Sequence, residues 1–124
     1  MKKQISTSAA PGAIGPYSQA IAVGDMLFIS GQIPVNPADG TVPEGIAAQT
    51  AQSISNIKAI LAEAGMTIDN VVKTTVFLAD MSLFSAMNEV YAQNFTAPFP
   101  ARSAVAVKEL PKQVLVEIET IASR

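Results

Sequence analysis

Neither cysteine nor histidine occurs among the 124 residues. The first absence excludes disulfides, thiolate catalysis and Cys-ligated metal. The second removes the commonest general base and metal ligand. Charge is scarce too: 15% of residues are charged, against about 25% in an average domain. Net charge is −2 and lysine and arginine form no cluster, so the basic footprint of a nucleic-acid binder is missing. No window approaches the roughly 18 apolar residues of a membrane span. Met1-Lys2-Lys3 is followed by no apolar core of a signal peptide. A soluble cytoplasmic protein is the expectation. There is no Gly-rich phosphate loop and no metal-ligand spacing, and serine and lysine have no histidine to activate them. The chemistry left over is non-covalent and metal-free, carried by Arg, Glu, Asp, Tyr, Ser, Asn, Lys or backbone groups.

What the chain has is apolar surface. Hydrophobic residues make up 49%, more than one protomer of this size hides, so oligomerisation is expected of a single domain spanning 1–124. Residues 2–6 suit a short edge strand. Residues 17–23 and 26–31 suit a hairpin turning at Gly24-Asp25, and its second strand, apolar on both faces, implies cover on both sides. Pro34, Pro37, Gly40, Pro43 and Gly45 mark a loop. Ile54, Ile57, Leu61 and Ala64 then step at helical spacing from Ile46 toward a stop at Gly65. Residues 71–79 read as a strand, with Val72, Val76 and Leu78 on one face and Val71, Thr75 and Phe77 on the other. Asp80 or Ser82 suits the cap of a second helix carrying Phe84, Met87, Tyr91 and Phe95, ended before Pro98 and Pro100. A closing hairpin of 102–107 and 114–121 completes a β-β-α-β-α-β-β order. That order predicts an α+β sandwich with both helices on one sheet face.

The segment Pro100–Ile118 carries the chemistry. Arg102 sits among small residues, where a guanidinium is costly unless an anion meets it. Its rigid fork matches a carboxylate or phosphate. Paired as a hairpin, Arg102, Ala104 and Ala106 would share a face with Leu115, Glu117 and Glu119, while Val105 and Val107 join Val116 and Ile118 against the helices. The first face has no helix to cover it, so another copy of the chain is the expected cover, and Arg102 is placed in or near a subunit interface. A structural ion pair of Arg102 with Glu117 or Glu119 is the competing reading. Periodicity does not separate the two glutamates. Tyr17 is either a core tyrosine or a site residue at a strand's start. Ser30 and Gly31 end a buried strand, where glycine lets a ligand approach. Asn88 is either a surface amide or a polar group reaching across an interface.

Several motifs together resemble the Rid family, the reactive intermediate deaminases. They are Gly15-Pro16-Tyr17-Ser18-Gln19-Ala20, Ser30-Gly31-Gln32-Ile33-Pro34, the stretch from Gln49-Thr50 to Gly65, Pro100-Ala101-Arg102-Ser103 and Val116-Glu117-Ile118. The resemblance implies a chorismate-mutase-like α+β fold, assembled as a homotrimer with a site in each interface. It also implies cofactor-free hydrolysis of 2-imino acids such as 2-iminopropanoate and 2-iminobutanoate to 2-keto acids and ammonia. On this resemblance Arg102 would hold the substrate carboxylate and Glu117 would orient or activate water. Tyr17, Ser30, Gly31 and Asn88 would line the pocket, with Ala104 touching substrate through its backbone. Many family members have cysteine at the place of Ala104. A ribonuclease or translation inhibitor, and a non-catalytic binder of small carboxylic acids, are the alternatives the sequence leaves standing.

Overall fold

In a computed structural model describing residues 1–124, six strands form one mixed sheet beneath two helices. The strands are β1 (Lys3–Ile5), β2 (Ala20–Val23), β3 (Met26–Gln32), β4 (Val71–Leu78), β5 (Ala101–Ala106) and β6 (Val116–Ser123). The helices are α1 (Ile46–Glu63) and α2 (Phe84–Asn94). The sheet order is β1-β2-β3-β6-β4-β5, with β4 and β5 parallel and all other pairs antiparallel. The α+β class and both helices stand as expected.

The core lies between helices and sheet. Leu27, Ile29, Val76, Leu78, Val116 and Ile118 rise from the strands to meet Ile54, Ile57 and Leu61 of α1 and Met87 and Tyr91 of α2. The stripe predicted for α1 is the one it buries. Asp80 caps a single 3₁₀ turn, Met81–Leu83, by accepting from the Ser82 N–H, and α2 starts only at Phe84.

The predicted closing hairpin does not exist. Once the chain leaves β4, crosses through α2 and returns parallel, β5 lies outside β4. β6 enters between β3 and β4 instead. It suits a central position because Val116, Ile118, Thr120 and Ala122 are all buried. This order also reverses the facing of β5. Arg102, Ala104 and Ala106 register with Thr74, Val76 and Leu78, the row turned toward the helices. Val105 registers with Phe77, which in turn registers with Glu117, so these three take the opposite face.

Two irregularities correct the strand readings further. Between Val71 and Lys73 the register slips by one residue. Val72 is thereby turned outward at 45% exposure while Val71 is buried, the reverse of the face assigned by simple alternation. The strand expected from residue 17 begins only at Ala20. Upstream, the Gln19 amide donates to the carbonyls of Thr7, Ala10 and Pro11 and accepts from the Thr7 N–H, tying two loop segments together in place of a ladder.

The face away from the helices has no cover within the chain. Phe28 and Val105 are exposed on it, with Ile121, Thr75 and Phe77 half-buried between. Cover on both faces of β3 is therefore absent from one protomer.

Candidate functional site

The expected residues fall into two groups on opposite faces of the sheet. The first centres on Arg102. Its Nη1 donates to Asn88 Oδ1 at 2.7 Å. Its guanidinium carbon lies 4.7 Å from the Tyr91 ring centroid and 5.4 Å from that of Phe84. Phe84, Asn88 and Tyr91 are four and three residues apart on α2, which puts them along one side of the helix, above the β5 edge. Two ring faces and one amide thus fix the plane of the fork. Arg102 also lines a cleft of about 400 Å³ with Asn88, Tyr91, Phe99 and Pro100, and its other guanidinium N–H groups make no hydrogen bond within the chain.

Tyr91 is fixed in turn. Its hydroxyl shares a 2.7 Å hydrogen bond with Thr74 Oγ1, and its ring stacks on Phe95 at 4.2 Å. Burial pushes its pKa above the ordinary phenol value, against the opposing effects of the Thr74 hydrogen bond and the Arg102 charge. The phenol is therefore neutral at physiological pH. The alternative of an Arg102–Glu117 ion pair is overturned: the two side chains leave opposite faces of strands separated by β4, about 10 Å apart across the sheet by strand spacing alone. Ala104, two residues beyond Arg102, is half-buried against the core on the same face.

The second group gathers where β3 breaks its ladder. Ile29 pairs with Thr120 and Gln32 with Ile118, so Ser30 and Gly31 together oppose Glu119 alone. This bulge re-aims both residues. The Ser30 hydroxyl donates to the Ser18 carbonyl at 2.6 Å and its N–H to the Gln19 carbonyl at 2.9 Å, clamping the loop that carries Tyr17. The hydroxyl's proton is committed there. Gly31 lies directly under the Glu117 side chain: a Cβ at 31 would overlap Oε2 and stand 2.9 Å from Cδ. Only a residue without a side chain leaves the carboxylate its place.

Glu117 is half-buried, and its pKa is raised above the ordinary carboxylate value, first by burial and then by the neighbouring Glu119 charge. The structure thus separates two glutamates that periodicity could not: Glu117 is half-buried over Gly31, whereas Glu119 is exposed. Tyr17 is no core tyrosine. It is 55% exposed, and with Gly31 and Gln32 it lines a second cleft of about 400 Å³. Sequence reasoning missed Phe84 and Tyr91 as supports of the arginine. The signal was Asn88 lying on the edge of their stripe. It also missed Gln19, whose buried amide organises the Tyr17 loop.

A small anion could be gripped by Arg102 on one surface and could meet a basic carboxylate over Gly31 on another. One protomer does not bring the two together. Among known proteins, the family model described as endoribonuclease L-PSP matches residues 7–124. A 2-iminobutanoate/2-iminopropanoate deaminase of Escherichia coli K12 is 52% identical over 127 residues, covering 100% of this chain and 99% of that protein. The RutC family protein PH0854 of Pyrococcus horikoshii is 55% identical over 123 residues, covering 98% of each. The crystal structure of Escherichia coli TdcF with bound serine superposes with a TM-score of 0.95 at 48% identity, covering 98% of each chain.

Proposed function

Because the chain belongs to the endoribonuclease L-PSP family, the family of the Rid and RutC proteins, we propose that it hydrolyses small 2-imino acids, 2-iminopropanoate and 2-iminobutanoate among them, to 2-keto acids and ammonia. The observation that carries the reading is Arg102: a half-buried guanidinium oriented by Asn88 and two aromatic faces, bordering a cleft, with donors left over for a carboxylate. Relatives bearing the deaminase name at about half identity over their full length supply the reaction class, and the serine held by TdcF is of similar size and presents the same kind of carboxylate.

The two groups of residues become one site if the uncovered sheet face packs on a second copy. The Glu117 group of one protomer then meets the Arg102 group of the next, and a closed ring of three such contacts gives a homotrimer with three sites. The exposed Phe28 and Val105 favour that packing. In such a site Arg102 holds the substrate carboxylate, fixing C2 toward Glu117. Water adds to the C=N carbon as Glu117 accepts its proton and passes it to nitrogen. A second transfer, from the new hydroxyl to nitrogen, breaks the C–N bond, releasing ammonia and leaving the 2-keto acid. Imines hydrolyse unaided, so orientation plus one general base, worth about 10²–10⁴-fold, suffices. Tyr17 and the backbone of Ser30, Gly31 and Ala104 shape the cavity, since the Ser30 proton is engaged by Ser18. No step requires a cofactor.

The test generates imine with a threonine dehydratase and follows loss of semicarbazide-trappable intermediate. Arg102→Ala should abolish the acceleration and Glu117→Gln should reduce it about a hundredfold or more. Wild-type rates in both variants would end the proposal. Ribonuclease is the second reading, favoured by the family's own description. A net charge of −2 and the lack of histidine oppose it.

A further inference from the structure

The cleft beside Tyr17 and Gly31 is lined by thirteen residues, of which one is charged, Lys112. That lysine holds φ 56° and ψ 19°, and Gln113 follows at φ 55°. L-residues pay for the left-handed region because Cβ crowds the following carbonyl oxygen, and glycine does not. This chain otherwise gives such positions to glycine: Gly15, Gly24, Gly40, Gly45 and Gly65 all have positive φ, and the non-glycine exceptions are Lys112 and its neighbour. A side chain kept at a position that strains it, on the rim of a cleft it alone charges, points to use of the side chain.

The loop is well placed for this. Leu115, three residues on, has its N–H held by the buried Gln49 amide, and its carbonyl accepts from the Ala79 N–H. The strained turn is thereby anchored against α1 and the end of β4 while Lys112 stays exposed.

We propose that Lys112 is the recruiting cation of the Tyr17–Gly31 cleft, drawing in the carboxylate of small 2-imino and 2-keto acids before Arg102 takes hold of it. The proposal rests on the deaminase reading for its substrate. The physical need follows from that substrate: an imine that decays unaided must be captured quickly, and a protein of net charge −2 repels an anion unless a local positive field focuses it. The Lys112 side chain is exposed where Arg102 is held by Asn88 and two aromatic rings, which suits capture rather than orientation.

The experiment compares the wild type with Lys112→Gln, Lys112→Gly and Lys112→Arg. Imine is supplied by an L-amino-acid oxidase at 20 to 500 mM salt, and 2-oxobutanoate binding is measured separately by calorimetry. Lys112→Gln and Lys112→Gly should each lose about tenfold in kcat/KM at low salt, mainly in KM, with the gap closing as salt rises. Lys112→Arg should restore most of the loss. Lys112→Gly should also raise Tm, because it relieves the strained φ, so its lost capture cannot be blamed on a weakened fold. Equal kcat/KM and equal 2-oxobutanoate affinity in Lys112→Gln and the wild type, at every salt concentration, would overturn the proposal while leaving the deaminase reading intact. A wild type without turnover whose 2-oxobutanoate affinity still depends on Lys112 and salt would sustain the recruiting role and sink the deaminase reading.

Discussion

Gly31→Ala is the most discriminating single change. A methyl placed on Gly31 would overlap Glu117 Oε2 and come within 2.9 Å of Cδ and 3.2 Å of Cγ. Carbon–carbon contacts are comfortable at about 3.5–4.0 Å, so the carboxyl must retreat by about 1 Å. The retreat costs the fold little, because the obstructing atoms are the end of a flexible side chain and Gly31 does not have positive φ. Replacing glycine also lowers the entropy of the unfolded chain by about 0.4–1 kcal/mol. Stability should therefore stay within about 1 kcal/mol of wild type, and Tm within several degrees. Activity should not survive so well. Misplacing a catalytic group by about 1 Å costs on the order of a hundredfold, equivalent to about 2.7 kcal/mol of transition-state stabilisation. Semicarbazide trapping gives the rate and circular dichroism gives Tm. The coupling can be isolated on a Glu117→Asp background, where the shorter side chain leaves room for the methyl. There, Gly31→Ala should cost less than threefold, a clear departure from additivity. A Gly31→Ala protein with wild-type turnover, or an equal loss on both backgrounds, would refute the claim that Gly31 exists to seat Glu117.

Four further outcomes are expected. Arg102→Lys should remain close to inactive, because a point charge reproduces neither the proposed two-point grip on a carboxylate nor the packing over the Tyr91 and Phe84 rings; product-inhibition constants for 2-oxobutanoate would show the lost binding. Asn88→Ala should raise KM about tenfold by freeing the guanidinium from its 2.7 Å amide contact, with the fold unchanged by circular dichroism. Because burial and Glu119 raise the pKa of Glu117, the folded protein holds that proton more tightly than the unfolded chain. Stability is then lost as pH rises from the ordinary carboxylate range through the raised folded value, and Glu117→Gln should flatten this slope in denaturant titrations at several pH values while removing activity. Ala104→Cys should change the rate less than threefold under the trapping assay, since in the proposed mechanism water is the nucleophile and a thiol has no step to perform.

How much the sequence revealed depended on whether a pattern was local. The α1 stripe of Ile54, Ile57 and Leu61 needs only helical spacing to be seen, and it is buried as read. The β2–β3 hairpin follows from a two-residue turn, Gly24-Asp25, between adjacent strands. The β5–β6 hairpin is absent because nearness along the chain does not decide pairing: the α2 crossover sends β5 to the far side of β4. Parity told correctly that Arg102, Ala104 and Ala106 share a face of their own strand. It could not tell which face of β6 theirs matches, since register is set between strands. The same limit hid the bulge that exposes Val72. At the candidate site, the sequence singles out Arg102 and Glu117 by residue type, but it does not show their separation onto opposite faces. Tyr91 and Phe84 looked like core because the same ring that fills a core can also carry a guanidinium on its face.

The composite site itself is open to one direct measurement. Arg102→Ala and Glu117→Gln proteins, each inactive alone, are unfolded together in equal amounts, refolded and assayed for imine hydrolysis. If each site takes its arginine from one protomer and its glutamate from the next, random reassembly completes about one interface in four, and about a quarter of wild-type activity should return. A mixture as inactive as its two components, though refolded into the same oligomer by light scattering, would contradict the account.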